Sequence, residues 1–245
     1  MTPHLSIVTW NVEWRHTTSK AAEIIRQRIF AHDPDVICLT EAPADFLRNT
    51  GHVIEAEGDY GYALKGNRRK VLLWSKQPWR EEDRVGHPAL TTGRYIAGRT
   101  ETPAGELLVV GVCIPWSGAH VVTGRRDRKR WEDHLQYLEG VREALQPHGS
   151  RSLVVGDYNQ AIPRRTAPVE AYEALDAAIL RRFDLATAGE IAPLGGYAID
   201  HVAHTPDLVA EEVVGLSPVG PSGEKLSDHF GLAVKLRAAS KETAL

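Results

Sequence analysis

The chain has 245 residues, 42% of them hydrophobic and 25% charged, with 29 basic and 32 acidic side chains for a formal net charge of −3. This is ordinary globular composition, within reach of one large α/β or all-β domain, and it excludes a disordered chain, a collagen-like repeat and a charged coiled coil. The slightly acidic balance argues against coating duplex nucleic acid by counterion release, but not against a local basic patch.

Residues 5–10 read as a buried strand. Residues 19–31 read as a helix, with Ala22, Ile25 and Ile29 on one face and Ser19 as its N-cap. The pair Asp33-Pro34 stops it, and 35–39 forms a second buried strand. Residues 52–112 hold no long helical pattern. They hold β-rich segments, with turn signals at Lys65-Gly66-Asn67 and Pro103-Ala104-Gly105. A strong buried strand is expected over 107–114. A long helix is expected over 124–145, with the apolar stripe Trp131, Leu135, Leu138, Val141 and Leu145. A strand over 152–155 and a helix over 168–180 follow. Strands over 197–203, 208–214 and 230–236 close the chain, and 237–245 reads as a frayed tail. No repeat or linker divides the chain, so a single domain over 1–245 is expected. The helix-free middle block argues for mixed sheets with helices outside them, against a purely doubly wound fold.

Cys38 and Cys113 each sit in an apolar run and read as buried thiols. Neither a disulfide framework nor CxxC spacing is present, which suits a reducing compartment. The N-terminal MTPHLSIVTW carries no signal-peptide pattern, and no apolar run nears the roughly 20 residues of a membrane helix. A cytoplasmic protein without membrane insertion is the expectation. No protein partner is readable.

Polar and acidic residues recur at the ends of the buried strands. Asn11 and Glu13 follow the first, Glu41 the second, and Asp157 and Asn159 a third. Asp200 and His201 lie in AIDHV, and Asp228 and His229 precede the last strand. A carboxylate at the end of an apolar strand costs several kcal/mol if desolvated and unpaired. Five such places suggest strand ends that converge on a cation. Carboxylate and amide oxygens, with little cysteine or paired histidine, favour magnesium or manganese over zinc. Singly, each residue has a plainer role as a turn or cap.

Taken in order, TWNV, LTE, GDYN, IDHV and SDH resemble the endonuclease/exonuclease/phosphatase superfamily, over about residues 5–236. The resemblance implies a four-layer α/β sandwich, two mixed β-sheets face to face with helices on both outer sides. It implies a phosphoesterase that uses Mg2+, or Mn2+. Glu41 is then the principal metal ligand with Asn11 beside it, supported by Asp228 and by Glu13. Asp157 is the base for the attacking water, and Asn159 holds that water or a phosphate oxygen. His229, oriented and kept charged by Asp200, bonds a non-bridging phosphoryl oxygen. Where many members have a phosphate-contacting tyrosine or histidine, this chain has Cys113, a poor donor. Cys113 either only packs, or a residue such as His120 substitutes for it.

Substrate choice has weaker signals. The segment 124–131, GRRDRKRW, holds Arg125, Arg126, Arg128, Lys129 and Arg130 against Asp127. Either it is a solvated helix start, or Arg125 and Arg126 meet phosphates of a polyanionic substrate. Trp116 and Trp14 follow motif segments and either line the cleft or pack. The leading expectation is a phosphodiesterase or nuclease on nucleic acid, single-stranded or nicked, or on a nucleotide-like substrate. The alternatives are a phosphatase or phosphodiesterase on a small molecule or phospholipid headgroup, and a non-catalytic binding module of the same fold.

Overall fold

The computed structural model describes residues 4–47, 50–145 and 151–239. The elements in chain order are β1 (His4–Asn11), α1 (Lys20–Phe30), β2 (Val36–Pro43), β3 (His52–Glu55), β4 (Arg68–Ser75), β5 (Arg80–Asp83), β6 (Tyr95–Thr102), β7 (Gly105–Cys113), α2 (Glu132–Ala144), β8 (Ser152–Asp157), α3 (Val169–Leu175), β9 (Asp184–Leu185), β10 (Glu190–Ile191), β11 (Gly196–Tyr197), β12 (Asp200–His204), β13 (Leu208–Leu216) and β14 (Gly231–Ala238).

Two six-stranded sheets form, in the orders β13-β14-β1-β2-β4-β3 and β5-β6-β7-β8-β12-β9. Each has one parallel pair at its centre, β1 with β2 and β7 with β8. Each parallel pair is joined by a helix, α1 or α2, because parallel strands need a crossover longer than a hairpin. All other pairs in the two sheets are antiparallel, so both sheets are mixed.

Three apolar cores show the layering. Ile7, Cys38 and Val71 meet Val109, Val155 and Val202 between the sheets. Ile25 and Ile29 of α1 cover the outer face of the first sheet, on Val8, Trp10 and Leu39. Tyr137 and Val141 of α2, with Leu175 of α3, cover the second, on Val110 and Val154. The central strands are buried on both faces, so they read as continuous apolar runs. This is the expected sandwich of two sheets with helices outside. Both cysteines are free and buried. Among the described residues, no helix is long and apolar enough to cross a membrane.

Helix α1 starts where its cap places it: the Ser19 hydroxyl accepts the Ala22 N–H at 3.2 Å. The long helix expected over 124–145 is shorter. Gly124, Arg126 and Trp131 have φ of 70°, 61° and 69°, so the backbone becomes helical only at Glu132. Its buried face is His134, Tyr137, Leu138 and Val141; Leu135 is only half-buried. The basic segment is therefore an exposed loop. The helix expected over 168–180 ends in a π-helical turn, Asp176–Leu180. The strand expected over 197–203 starts only at Asp200, after β11. The expected tail begins later: Arg237 pairs with His4 and Ala238 with Leu208. Residues 240–245 lie outside the described residues.

Candidate active site

The register of the strands brings the polar residues together. Asn11 and Thr40 are partners across β1 and β2, which sets Glu41 beside the end of β1. Asp157, the last residue of β8, faces Asp200, the first of β12. The loop before β14 returns next to β1: Trp10 Nε1 donates to His229 O at 2.9 Å, and Ser227 Oγ donates to Asn11 O at 2.6 Å. Asn11, Glu41, Asp157, Asn159, Asp228 and His229 line one pocket of about 270 Å³.

Local backbone geometry aims these side chains. Glu41 and Asn159 have positive φ, 52° and 53°, conformations that non-glycine residues hold only when the surroundings impose them. Here the Trp14 N–H donates to Glu41 O at 2.7 Å, and Asn159 Nδ2 donates to Ile114 O at 2.8 Å. Gly156 has φ +131°, and a Cβ there would lie 2.1 Å from Val112 O. Only glycine lets β8 close on β7 while presenting Asp157.

His229 Nδ1 bonds Asp200 Oδ2 at 2.5 Å. Burial by itself opposes the charge on His229, but the charge and hydrogen bond of Asp200 outweigh it, and the imidazolium is pushed up to about 10. Asp157 accepts the Asn159 N–H at 2.9 Å and the Asn11 amide at 3.2 Å. Burial, then the charge of Asp200, push its carboxyl up to about 7, with Glu41 adding to the rise; His229 pulls the other way. Two acids and a cation thus share one buried network, with a proton acceptor poised near neutrality.

Residues 8–229 match the model of the Endonuclease/Exonuclease/phosphatase family. The chain belongs to this family. Its members are divalent-metal-dependent phosphoester hydrolases. No curated protein sequence matches the chain. Solved structures share its fold at low identity. An endonuclease/exonuclease/phosphatase from Beutenbergia cavernae is 15% identical with a TM-score of 0.64, covering 97% of this chain and 72% of its own. The Neisseria 3′ phosphatase NExo, bound to a product DNA hairpin, is 18% identical with a TM-score of 0.68, covering 94% and 98%. D. rerio TDP2, complexed with a single-strand DNA product, is 15% identical with a TM-score of 0.66, covering 96% and 99%.

The donor set fits the family's metal. Glu41, Asn11 and Asp228 offer only oxygen atoms to the pocket they line, which suits a hard cation. Glu41 already takes a cation: Lys70 Nζ lies 2.5 Å from its Oε1. A second group, Asp157, Asp200 and His229, has its ligand atoms within 4.8 Å of one another. There the imidazole Nδ1 is taken by Asp200, so this group reads as a charge-paired acid–base unit.

Four expected residues stand elsewhere. Glu13 turns away from the pocket: its carboxylate holds Arg15 at 2.7 Å and Lys225 at 2.8 Å. His120 is buried with both ring nitrogens taken, by Asp133 Oδ2 at 2.8 Å and Gly61 O at 2.6 Å, so it does not replace the family's tyrosine or histidine. Arg125 and Arg126 are exposed and do not line this pocket, Arg125 pairing with Asp127 at 3.4 Å. Trp116 does line the pocket, 39% exposed. Cys113 is buried between the sheets and also lines the pocket, and its carbonyl accepts Arg94 Nη1 at 3.1 Å.

Two residues were missed. Lys70 and Arg94 both line the pocket and are only 9% and 2% exposed. Their signal was present: each is a basic residue at the head of an apolar strand segment, KVLLW and RYIAG. The same strand-end logic that finds the acids finds these cations.

Proposed function

We propose that the chain is a metal-dependent phosphodiesterase acting on a nucleic-acid or nucleotide-like substrate by direct attack of water on phosphorus. One observation carries the reading: a charge-paired His229 and a proton acceptor at Asp157 face the same pocket as the oxygen donors Glu41 and Asn11.

Ionised Asp157 accepts the proton of the attacking water while the phosphorus–leaving-oxygen bond breaks. Asn159, anchored on Ile114 O, is placed to hold that water or a phosphate oxygen. His229 Nε2, 4.0 Å from Asp228 Oδ1, donates to a non-bridging phosphoryl oxygen. Arg94, whose Nε has no partner among the described residues, supplies positive charge from the pocket wall. When bound on Glu41 and Asn11, a divalent cation supplies Lewis acidity and charge neutralisation. Positioning and electrostatics then do most of the catalysis, as phosphoryl transfer requires.

Two structural relatives were solved with DNA products, which supports a nucleic-acid substrate. The position of Arg125 and Arg126 outside the pocket favours a second reading, a small phosphate diester. The test is hydrolysis of bis-p-nitrophenyl phosphate with Mg2+ or Mn2+ and with chelator. A panel of single-stranded DNA, abasic duplex, RNA and small phosphate esters follows. Chelator-sensitive turnover is expected. No turnover of any mono- or diester with either metal would leave a binding module of the same fold.

A further inference from the structure

Beside the catalytic pocket lies a second one of about 390 Å³, in the range of small-molecule sites. The two share Glu41, Lys70, Arg94 and Trp116, so they form one continuous cleft. The outer pocket is aromatic. Trp14 stacks on Tyr60 at 5.7 Å, Tyr60 meets Tyr62 at 6.0 Å, and Tyr62 stacks on His120 at 4.5 Å. Trp116 lines it as well, and it is one of the few large apolar side chains left exposed.

The pocket is also cationic. Lys65, Arg68, Lys70 and Arg94 line it against the single acid Glu41. Arg68 and Lys70 lie 4.8 and 5.1 Å from the Trp14 ring centroid, cation–π contacts that fix them to the aromatic wall. Arg94 is 98% buried by its 2% exposure, and its Nε has no partner among the described residues. A buried, half-satisfied guanidinium in such a wall calls for an anion.

We infer that the outer pocket binds a nucleobase next to the scissile phosphate, with Lys65, Arg68 and Arg94 meeting the substrate's negative charge. A ring system matches the aromatic ladder, and the anion attached to it matches the cations. A choline headgroup would also use an aromatic wall, but its positive charge is opposed here by Lys65, Arg68 and Arg94. Base stacking tolerates every base, because each has a π-face, so the site selects nucleotides as a class. This rests on the phosphodiesterase reading above and names its substrate class.

The test compares two diesters with the same leaving group, thymidine 5′-(p-nitrophenyl phosphate) and methyl p-nitrophenyl phosphate, on the full chain with Mg2+ or Mn2+. The nucleoside ester should be favoured in kcat/KM by about tenfold or more. Trp14→Ala and Trp116→Ala should each bring that ratio toward one, and Trp14→Phe should restore it. Calorimetry with thymidine 5′-monophosphate and ribose 5-phosphate reads the same site without catalysis. The base-bearing ligand should bind about tenfold tighter, and less so in Trp116→Ala. An unchanged kcat/KM ratio in both alanine variants, or equal binding of the two monophosphates, overturns the inference. Absence of turnover strikes the phosphodiesterase reading alone, because the calorimetric arm then decides the pocket.

Discussion

His229 keeps its charge because Asp200, buried at 2% exposure, sits 2.5 Å from its Nδ1. Asp157 is held near neutrality by burial and by that same Asp200 charge. In the proposed mechanism, removing either group removes an interaction aimed at the transition state. Asp157→Asn or His229→Ala should lower kcat at least about a hundredfold in steady-state assays of the purified proteins. The pH profile follows from the signs. Asp157 accepts a proton only when ionised, so activity rises with pH up to about 7, and a cation on Glu41 moves this limb lower. His229 donates only when protonated, so activity falls again as pH approaches about 10. Asp200→Asn withdraws the charge that raises His229, so the alkaline limb of kcat/KM against pH should move toward lower pH. An unmoved limb would assign it to another group. At this scale the oxygen donors were legible, because an acid at the end of an apolar strand needs a reason. The direction of Glu13 was not. Its carboxylate answers to Lys225, 212 residues away in sequence.

At the scale of elements, the strands and α1 follow from apolar runs and one cap. The Ser19 hydroxyl satisfies one of the amide groups that every helix start leaves open. Ser19→Ala should cost about 1 kcal/mol. Urea unfolding should show this as a lower midpoint at an unchanged slope. The start of α2 was misread for a definite reason. The apolar stripe begins only at Trp131, one residue before the helix, and the expected helix runs back from it to Gly124 through a segment without that stripe. Backbone conformation breaks the expected helix: Gly124, Arg126 and Trp131 take left-handed φ, which side-chain periodicity does not encode. Trp131 N–H is instead taken by Ser117 O at 2.8 Å, a contact from the loop after β7. The placement of Asp157 depends on an element-level detail too, the glycine that lets β8 approach Val112 O.

At the scale of the molecule, the net charge of −3 covers a basic loop over 125–130 and a cleft in which Glu41, Asp157 and Asp228 stand beside Lys70, Arg94 and His229. Arg128 pairs with Glu132 at 3.0 Å and with Asp133 at 3.4 Å, and Arg125 with Asp127, so part of the positive charge is spoken for locally. Arg125→Ala with Arg126→Ala should therefore leave KM for a small diester unchanged. A polymeric substrate that overhangs the rim is another matter. There KM should rise and its salt dependence flatten, as steady-state assays across a salt series would show. A matching rise in KM for the small diester would place these arginines inside the cleft instead.

Sequence by itself determined mixed sheets with helices outside them, the buried thiols and the oxygen-bearing residues at the strand ends, while the face-to-face sandwich followed from the resemblance of the ordered motifs to the family. Apolar periodicity and strand-end polarity are local properties, and the chain states them directly. Tertiary structure alone decided which of those residues meet. Asp157, Asp200 and His229 come from three separate segments, and tertiary structure alone brings their side-chain atoms within 4.8 Å of one another, with Glu41 lining the same pocket as Asp157 and His229. It also decided the cationic and aromatic wall of Lys70, Arg94, Trp14 and Tyr60. These come from separate segments of the chain, and each by itself looks like an ordinary strand or loop residue. Their shared chemistry exists only after two sheets pack and their loops fold over one edge.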